Sequence, residues 1–515
     1  MTTTANDRVA FYRRLFYITL FSTLIIKIIL AAAIPITADE AYFVEWGQHL
    51  SYGYYDHPPL VGWILYVLLK FGNSTLLMRS PAVAMSTIIG IGIYLLLRSY
   101  DQARAYLVAV LYMISPIAVL GVLITTDGPL IIFSFLSGAF LFRALRDNSL
   151  KFYFWAGICL GLAFLSKYFA VLLIASYLAY YFLSDRNRDK TRGFALLFLA
   201  SLPFGLINLY WNYTHCWDNI LFNVLTRNHG MDLSWFKFLM WVGIVVYLVT
   251  PPLLYYLARH RKELVERART SDFKIFAYST IIPFGFFTIL GTFKDIGLHW
   301  PLSFYGFVFL FLAIYLTTKE LVTATKFMAY FTAIHLVLVT VALLMPLKDW
   351  KFTNQYDSIV FTERNNVLWK DMEPYAGRYV FATDRYSTSS IFSYLRGVHV
   401  IVFGWGSYHG RQDDILTDFR KYAGKNILIM TKSAPPVANY APYFKSIRIK
   451  TIMLEGTPFY MVFGHDFNYQ SYRAVVLKTI MNFYYKIPAW LPCKRCYMYE
   501  RYGELGSNKW TPATW

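Results

Sequence analysis

The sequence predicts a polytopic α-helical membrane protein with about 11 (11–13) transmembrane helices and a C-terminal extracytoplasmic α/β domain. Three observations carry this prediction. Of the 515 residues, 57% are hydrophobic. Apolar runs of span length recur up to about residue 346, and after that point the runs shorten to strand length. A water-soluble fold is excluded, because such runs need a bilayer to cover them.

Eleven apolar runs account for the predicted spans, although several are shorter than the ~20 residues of a straight crossing. One more run, 59–71, is too short to cross and predicts an interfacial helix. The first run, Leu15 to Ile34, follows three arginines, as the apolar part of a signal peptide does. Its length predicts an uncleaved first helix. The small residues of AAAIPITA, at its end, leave cleavage there as an alternative. The predicted spans are 15–35, 81–98, 104–124, 129–145, 152–166, 168–184, 193–210, 237–257, 275–292, 301–317 and 326–346.

The net charge of +19 is concentrated in one set of loops, which favours a membrane orientation over nucleic-acid binding. Twenty lysines and arginines lie in that set, and six lie in the opposite set. The positive-inside rule therefore places the N-terminus in the cytoplasm. Residues 1–346 would form the transmembrane domain with a first periplasmic loop at 36–80, and residues 347–515 a periplasmic domain of a bacterial inner-membrane protein.

The C-terminal region predicts a small α/β domain. Its strand-like runs are 379–383, 399–403, 426–430 and 447–454, and helical segments fit between the first three. It has no glycine-rich phosphate loop, so no nucleotide cofactor is expected. The aromatic and basic tail, 484–515, suggests a segment on the membrane surface. Cys493 and Cys496 predict a local disulfide if that side is oxidising.

The first loop, from Ile36 to Trp63, is the richest in candidate residues. Thr37 and Glu40 have the spacing of a capping box, which predicts a helix from about Ala38. That helix would place Asp39 on one face with Phe43, Trp46 and Leu50. Glu40 is a candidate catalytic residue beside Asp39, and it also has an explanation as the capping partner. Asp39 is either a catalytic acid or an acid that suits the helix dipole.

Further polar residues fall on the predicted outer face. Charges at membrane depth are costly and usually mark a function. Each residue also has a structural explanation: Asp127 could cap a span, Lys167 could reach to the interface, and His299 could belong to an interface belt. The candidates are Asp56, His57, Asp127, Lys167, Trp211, Asn212, Arg227, His299 and Trp300.

Such a face suits a lipid-linked sugar phosphate. Lys167 and Arg227 could hold the phosphate, with or without a divalent metal ion, and the span walls could hold the lipid chain. Asp39 could take the acceptor proton or stabilise positive charge at the anomeric carbon.

Six motifs follow one another along the chain: ADEAYFVEWGQHLSYGYYDHPPLVGW, MRSPAV, ITTDGPL, GLAFLSKYFAVLL, YWNYTHCWDNILFN and GLHWPLSFYG. This order resembles that of bacterial family 39-like glycosyltransferases of the GT-C fold. The chain is similar to the group of aminoarabinose and galactosamine transferases that modify lipid A, which is related to protein O-mannosyltransferases. The resemblance covers roughly residues 10–320, with a weaker match in YVFATDRYSTSSIFSYL.

The resemblance implies roles for particular residues. Asp39 falls on the catalytic first-loop aspartate, and Asp56 on a metal ligand next to the Pro-Pro pair. His57 stands where a relative has lysine before the prolines, and it is the candidate for donor phosphate binding at this position. Lys167 falls on a lysine that meets donor phosphate, and His299 falls near a second metal ligand.

The resemblance implies inverting transfer of a sugar, an aminosugar in the group that it resembles, from a polyprenyl-phosphate donor to lipid A or another envelope acceptor. A protein O-mannosyltransferase-type enzyme is the alternative acceptor class. A multi-pass transporter would place its charges near the bilayer midplane and show inverted repeats. Here the acids lie at one edge of the membrane, and no repeat is evident in the sequence. A wall or O-antigen ligase would usually lack the first-loop Asp-Glu with DHPP.

Overall fold

Two stretches that are far apart in the sequence, the first loop and the C-terminal region, belong to one structural unit. The computed structural model describes residues 5–225, 231–263, 273–404 and 411–503. The first unit takes in Met1–Ile34, Asn73–Leu206 and Gly230–Leu343, and the second takes in Pro35–Gly72, Ile207–His229 and Leu344–Trp515. The sequence-based division differs, because it placed the loop 36–80 with the transmembrane domain.

Helices account for most of the described residues. In chain order they are α1 (Ala5–Ala33), α2 (Ala38–Gln48), α3 (Leu60–Leu69), α4 (Thr75–Leu97), α5 (Gln102–Met113), α6 (Pro116–Leu120), α7 (Asp127–Asp147), α8 (Leu150–Phe164), α9 (Ala170–Leu183), α10 (Arg188–Thr214), α11 (Asp218–Val224), α12 (Trp235–Val249), α13 (Pro251–Arg259), α14 (Lys274–Leu290), α15 (Leu302–Tyr315), α16 (Thr318–Leu344), α17 (Tyr356–Met372), α18 (Tyr386–Arg396), α19 (Gln412–Leu416), α20 (Tyr469–Tyr472), α21 (Lys478–Tyr484) and α22 (Tyr497–Tyr502).

The helical membrane fold is confirmed, whereas the number of spans stays a prediction. Among the described residues, five helices are long and apolar enough to cross a bilayer: α1, α4, α7, α10 and α16. The predicted span at 237–257 is bent by 91° between α12 and α13. The bend falls at Thr250, ahead of Pro251 and Pro252, because proline restricts the residue before it and cannot continue a helix's hydrogen bonds.

The core of the first unit surrounds α15. Twelve of its 14 residues are buried, so this helix is apolar on every side. Two long basic side chains in this unit are also buried, and polar groups hold them. Lys27 Nζ donates to Ser86 Oγ at 2.8 Å and to Thr87 Oγ1 at 2.7 Å. Arg79 donates to the carbonyls of Ala31 and Ile34, which end α1. A charge in a span needs such partners, because the bilayer offers none.

The second unit contains a five-stranded sheet. The strands are β1 (Val380–Thr383), β2 (Ile401–Val402), β3 (Ile427–Thr431), β4 (Phe444–Leu454) and β5 (Thr457–Phe467), in the order β2-β1-β3-β5-β4. β2 and β3 flank β1 in parallel, and the β4–β5 hairpin adds antiparallel strands beside β3. The predicted α/β domain is therefore confirmed.

The sequence analysis identified four of these strands and missed β5. The signal for it is the pair Glu455 and Gly456, which both have positive φ and form the tight turn after β4. A strand that follows such a turn pairs with its predecessor, and Thr451 and Tyr460 are aligned across the hairpin.

The predicted local disulfide is wrong. Cys496 pairs with Cys216, which is 280 residues away, and Cys493 is a free thiol. The tail runs along the turn that follows α10: Lys494 N donates to the Tyr213 carbonyl at 2.9 Å, and Cys216 N donates to the Arg495 carbonyl at 3.2 Å. This pairing brings Cys496, rather than its close neighbour in sequence, to Cys216.

The placement of the tail also differs from the prediction of a surface segment. Its described part contributes Tyr485, Ile487, Tyr497 and Tyr502 to the buried core of the second unit. Residues 504–515 lie outside the described residues. Tyr485, Tyr497 and Tyr502 are thus core residues, whereas Trp490 is exposed, and composition alone could not distinguish the two kinds.

We expect Cys216→Ala to lower the free energy of unfolding of the second unit by about 2–5 kcal/mol, because the disulfide closes a very long loop. Cys493→Ser should have little effect and serves as the matched control. Proteolysis without reductant, followed by mass spectrometry, should find a peptide pair that contains Cys216 and Cys496. A linked Cys493–Cys496 peptide would contradict the structure.

Candidate active site

The first turn of α2 is built by the predicted capping box. The Glu40 carboxylate accepts from Thr37 N at 3.0 Å, and Thr37 Oγ1 accepts from Glu40 N at 3.3 Å. The Glu40 side chain is fully buried. A catalytic role for Glu40 stays a prediction, and these contacts fit its structural explanation as the capping partner.

Asp39, one residue earlier, is exposed. Its Oδ1 accepts a hydrogen bond from the Tyr386 hydroxyl at 3.1 Å. The first turn of a helix favours a charged carboxylate through the helix dipole. Asp39 is therefore a carboxylate that is oriented by a neighbour and accessible to a second molecule.

The aromatic face predicted for α2 is partly confirmed. Phe43 and Trp46 are both buried, with ring centroids 4.8 Å apart. Trp46 also stacks on Tyr54, at 4.6 Å and nearly parallel. The prediction is wrong for Leu50, because α2 ends at Gln48 and Leu50 is exposed.

Asp56 is buried and paired within the second unit. Its Oδ1 accepts from the Tyr42 hydroxyl at 3.1 Å, and its Oδ2 accepts from Arg411 Nη1 at 2.8 Å. Burial raises the pKa of the Asp56 carboxyl, while the Arg411 guanidinium and the Tyr42 hydroxyl partly offset the rise. A buried pair of this kind is strongly destabilised when one partner is removed.

This arrangement does not fit a metal site at Asp56, because a phenol and a guanidinium already occupy its two oxygens. A cation would have to displace Arg411, which supplies the compensating charge. No group of three or more His, Cys, Asp or Glu side chains that could hold a metal occurs in the part of the chain that the structure describes. His299 lies in the first unit and is exposed. The metal role of Asp56 and His299 stays a prediction, and no step of the reaction is assigned to it.

Tyr386 and Arg411 are site residues that the sequence analysis missed. Tyr386 begins α18, directly after β1, and the Arg411 guanidinium lies 4.7 Å from its ring centroid. Burial raises the pKa of the Tyr386 hydroxyl, so it remains a proton donor to Asp39 at neutral pH. The pair thus links the two acids of the first loop: Tyr386 binds Asp39, and Arg411 binds Asp56.

A signal for Tyr386 was present in the sequence. The polar run Asp384-Arg385-Tyr386 follows β1, and ligands of open α/β sheets bind at the carboxyl ends of parallel strands. Arg411 has no comparable signal, because it lies at the start of a five-residue helix.

The remaining candidates of the second unit have structural contacts. Trp211 stacks on His215 at 4.4 Å and donates to Ser51 Oγ at 3.1 Å. Asn212 is buried, and its Oδ1 accepts from Ile220 N at 3.0 Å, which fixes the turn before α11. The ring of His57 lies 6.2 Å from that of Trp46. Arg227 lies outside the described residues, so its predicted phosphate-binding role is untested.

In the first unit, the structure brings Asp127 and Lys167 together, and Phe169 contacts both Lys167 and Trp300. Lys167 Nζ lies 2.9 Å from both carboxylate oxygens of Asp127, and both side chains are buried. The same ammonium lies 5.4 Å from the ring of Phe169, which in turn packs on Trp300 at 5.1 Å. Lys167 therefore does not reach out to an interface as a lone cation; it is one half of a buried ion pair at the start of α7.

Comparison with known proteins identifies the fold. Residues 56–211 match the family model described as dolichyl-phosphate-mannose-protein mannosyltransferase. The structure is similar to the apo crystal structure of ArnT from Cupriavidus metallidurans, with a TM-score of 0.59 and 14% identity, covering 87% of this chain and 97% of that one. The chain has an ArnT-like GT-C fold.

The same ArnT in complex with undecaprenyl phosphate gives a TM-score of 0.60 at 12% identity, with the same coverage. A curated relative, the lipid A galacturonosyltransferase RgtD of Rhizobium johnstonii, is 23% identical over 205 residues. That match spans 38% of this chain and 41% of the relative's length. The family resemblance predicted from the motifs is thereby confirmed.

Proposed function

We propose that this chain is an inverting glycosyltransferase. It moves a sugar, in our proposal an aminosugar, from a polyprenyl-phosphate donor to lipid A on the periplasmic face of the bacterial inner membrane. The observation that carries the proposal is Asp39, an exposed carboxylate that is held by the Tyr386 hydroxyl. The ArnT-like fold and the matched family model support the same class of reaction.

The proposed chemistry is a single displacement. The acceptor oxygen forms a bond to the anomeric carbon, the bond from that carbon to the phosphate oxygen breaks, and the electron pair leaves with the polyprenyl phosphate. If the acceptor is a hydroxyl, Asp39 takes its proton; if it is an ionised phosphate, Asp39 acts electrostatically. Tyr386 orients the Asp39 carboxylate through its hydrogen bond, and the Arg411 guanidinium positions the Tyr386 ring.

The donor class follows from the membrane setting and from the relatives. An ArnT structure is described in complex with undecaprenyl phosphate, and a relative is named a lipid A transferase. The absence of a glycine-rich phosphate loop in the sequence argues against a nucleotide sugar. Lipid-linked sugars also have the extracytoplasmic location that the loop charges predict for Asp39.

Mass spectrometry of lipid A tests both the acceptor and the sugar. A strain without the gene should lack one lipid A species, the one that is heavier than unmodified lipid A by the mass of an attached aminosugar. The wild-type gene should restore this species, and the Asp39→Asn gene should not. Unchanged lipid A with a lost protein glycan would instead support the protein O-mannosyltransferase-type alternative. If lipid A and the protein glycans are both unchanged and the uptake of a solute is altered, the result would support a transporter.

Tyr386→Phe should lower kcat by roughly tenfold, because it removes one hydrogen bond to a charged carboxylate. The KM for the donor should change little, since the Tyr386 ring remains in place beneath Arg411. Tyr42→Phe is the matched control, because it removes a phenol from Asp56 rather than from Asp39. A Tyr386→Phe protein with wild-type kcat would show that this hydrogen bond does not orient the reacting group.

A further inference from the structure

A basic cleft of about 790 Å³ lies in the first unit, between the first turns of α1 and α16. Arg8 lines it from α1, and Lys319 and Lys326 line it from α16. Asp7 is the one acidic residue among the described residues of its wall. The wall therefore carries an excess of positive charge, and none of the residues discussed for the transfer reaction contributes to it.

The two lysines are placed to act together. They are seven residues apart, so they project from one face of α16, with Val322 and Thr323 between them. Glu320 lies next to Lys319 in the sequence, but its carboxylate binds His260 at 2.9 Å and caps α16 through Thr317 N at 2.9 Å. This acid is therefore engaged elsewhere and does not neutralise the lysines.

Apolar stripes continue from the cleft along both helices. On α1, Phe11, Ile18, Phe21 and Ile25 are all exposed. On α16, Lys326 is followed on the same face by exposed apolar side chains: Tyr330, Ile334, Val337 and Val341. Only 11% of the most apolar part of α16 is buried within the protein, so this helix presents a long apolar surface that a lipid or another helix could cover.

We propose that the cleft binds the head group of a two-chain anionic phospholipid, whose acyl chains lie along the exposed stripes of α1 and α16. The charge decides between occupants. An apolar surface alone would accept any lipid or another helix, whereas a basic cleft at the water boundary selects a phosphate head group with net negative charge. The joined basic and apolar surfaces match the two parts of one amphipathic molecule.

The test is native mass spectrometry of the full chain in detergent, titrated with phosphatidylglycerol or phosphatidylcholine. Wild type should retain one phosphatidylglycerol in preference to phosphatidylcholine. The combined variant Arg8→Ala, Lys319→Ala and Lys326→Ala should lower that retention by ~10-fold or more, because each cation near an anionic lipid contributes to binding. These three side chains are exposed, so the variant should elute as a monodisperse protein like wild type.

A matched variant removes three other exposed cations of the same unit, Arg143→Ala, Lys151→Ala and Arg188→Ala, and should retain phosphatidylglycerol normally. Equal retention by the cleft variant and wild type would overturn the proposal, as would equal binding of phosphatidylcholine. A cleft variant that loses retention of a polyprenyl phosphate, or of soluble glycerol phosphate, while it still retains phosphatidylglycerol like wild type would overturn the two-chain occupant. If wild type forms dimers and the cleft variant does not, the exposed face would be assigned to contact with a second copy of this chain and not to a phospholipid.

Discussion

Asp39→Asn should insert and fold like wild type, yet its kcat should fall by ~10² or more. The change keeps the size of the side chain and removes its charge and basicity. Thr37, not Asp39, caps α2, so the helix keeps its start. Asp39 is also exposed, so no buried group loses a partner other than the Tyr386 hydroxyl. Steady-state transfer from a lipid-linked donor measures the effect.

Glu40→Gln is the matched control in the same turn. Glutamine can also occupy the third position of a capping box, so this variant should keep most of its activity and stability. An Asp39→Asn protein with near-normal kcat would show that Asp39 only suits the helix dipole. An equal loss in Glu40→Gln would assign the chemistry to the turn as a whole.

Lys167→Ala should lower the free energy of unfolding by about 3–5 kcal/mol, because it leaves the buried Asp127 carboxylate without its ion-pair partner. Both side chains are 9% exposed, so water compensates little. Thermal unfolding of the detergent-solubilised protein measures this loss. Lys151→Ala, which removes an exposed lysine of the same unit, should leave the midpoint unchanged.

A double variant separates stability from donor binding. Asp127→Asn with Lys167→Gln removes both charges, so most of the lost stability should return. If Lys167 also binds donor phosphate, as the family resemblance implies, the double variant should remain folded with a raised donor KM. A stable double variant with a normal donor KM would limit the ion pair to a structural role.

Local patterns in the sequence were sufficient for the elements that form within a few residues. The Thr37–Glu40 capping box appears as predicted, because both of its hydrogen bonds join residues of one turn. The apolar run at 59–71 forms the helix α3, which begins directly after Pro58 and Pro59; its interfacial location stays a prediction. Asp39 was identifiable for the same reason, as an acid that the cap does not need.

Contacts between distant residues could not be predicted in this way. Asp56 and Arg411 are separated by 355 residues, and Cys216 and Cys496 by 280. Their partners are determined by how the first loop, the segment after α10 and the C-terminal region pack in the second unit, and no local sequence period indicates this packing. The pairing of Asp56 with Arg411 was therefore not predicted, and Cys496 was wrongly assigned to its close neighbour Cys493. Lys167 likewise has a partner, Asp127, that only the packing of the helices supplies.

The central claim is that this chain transfers a sugar from a lipid-linked phosphate donor at Asp39. The direct measurement is a reconstitution of the purified protein in lipid nanodiscs with a polyprenyl-phosphate aminosugar and lipid A, followed by mass spectrometry of both lipids. We predict that polyprenyl phosphate and sugar-modified lipid A appear in equal amounts with wild type, and that neither appears with Asp39→Asn. Equal turnover by wild type and Asp39→Asn, or no consumption of any polyprenyl-phosphate sugar by wild type, would contradict the claim.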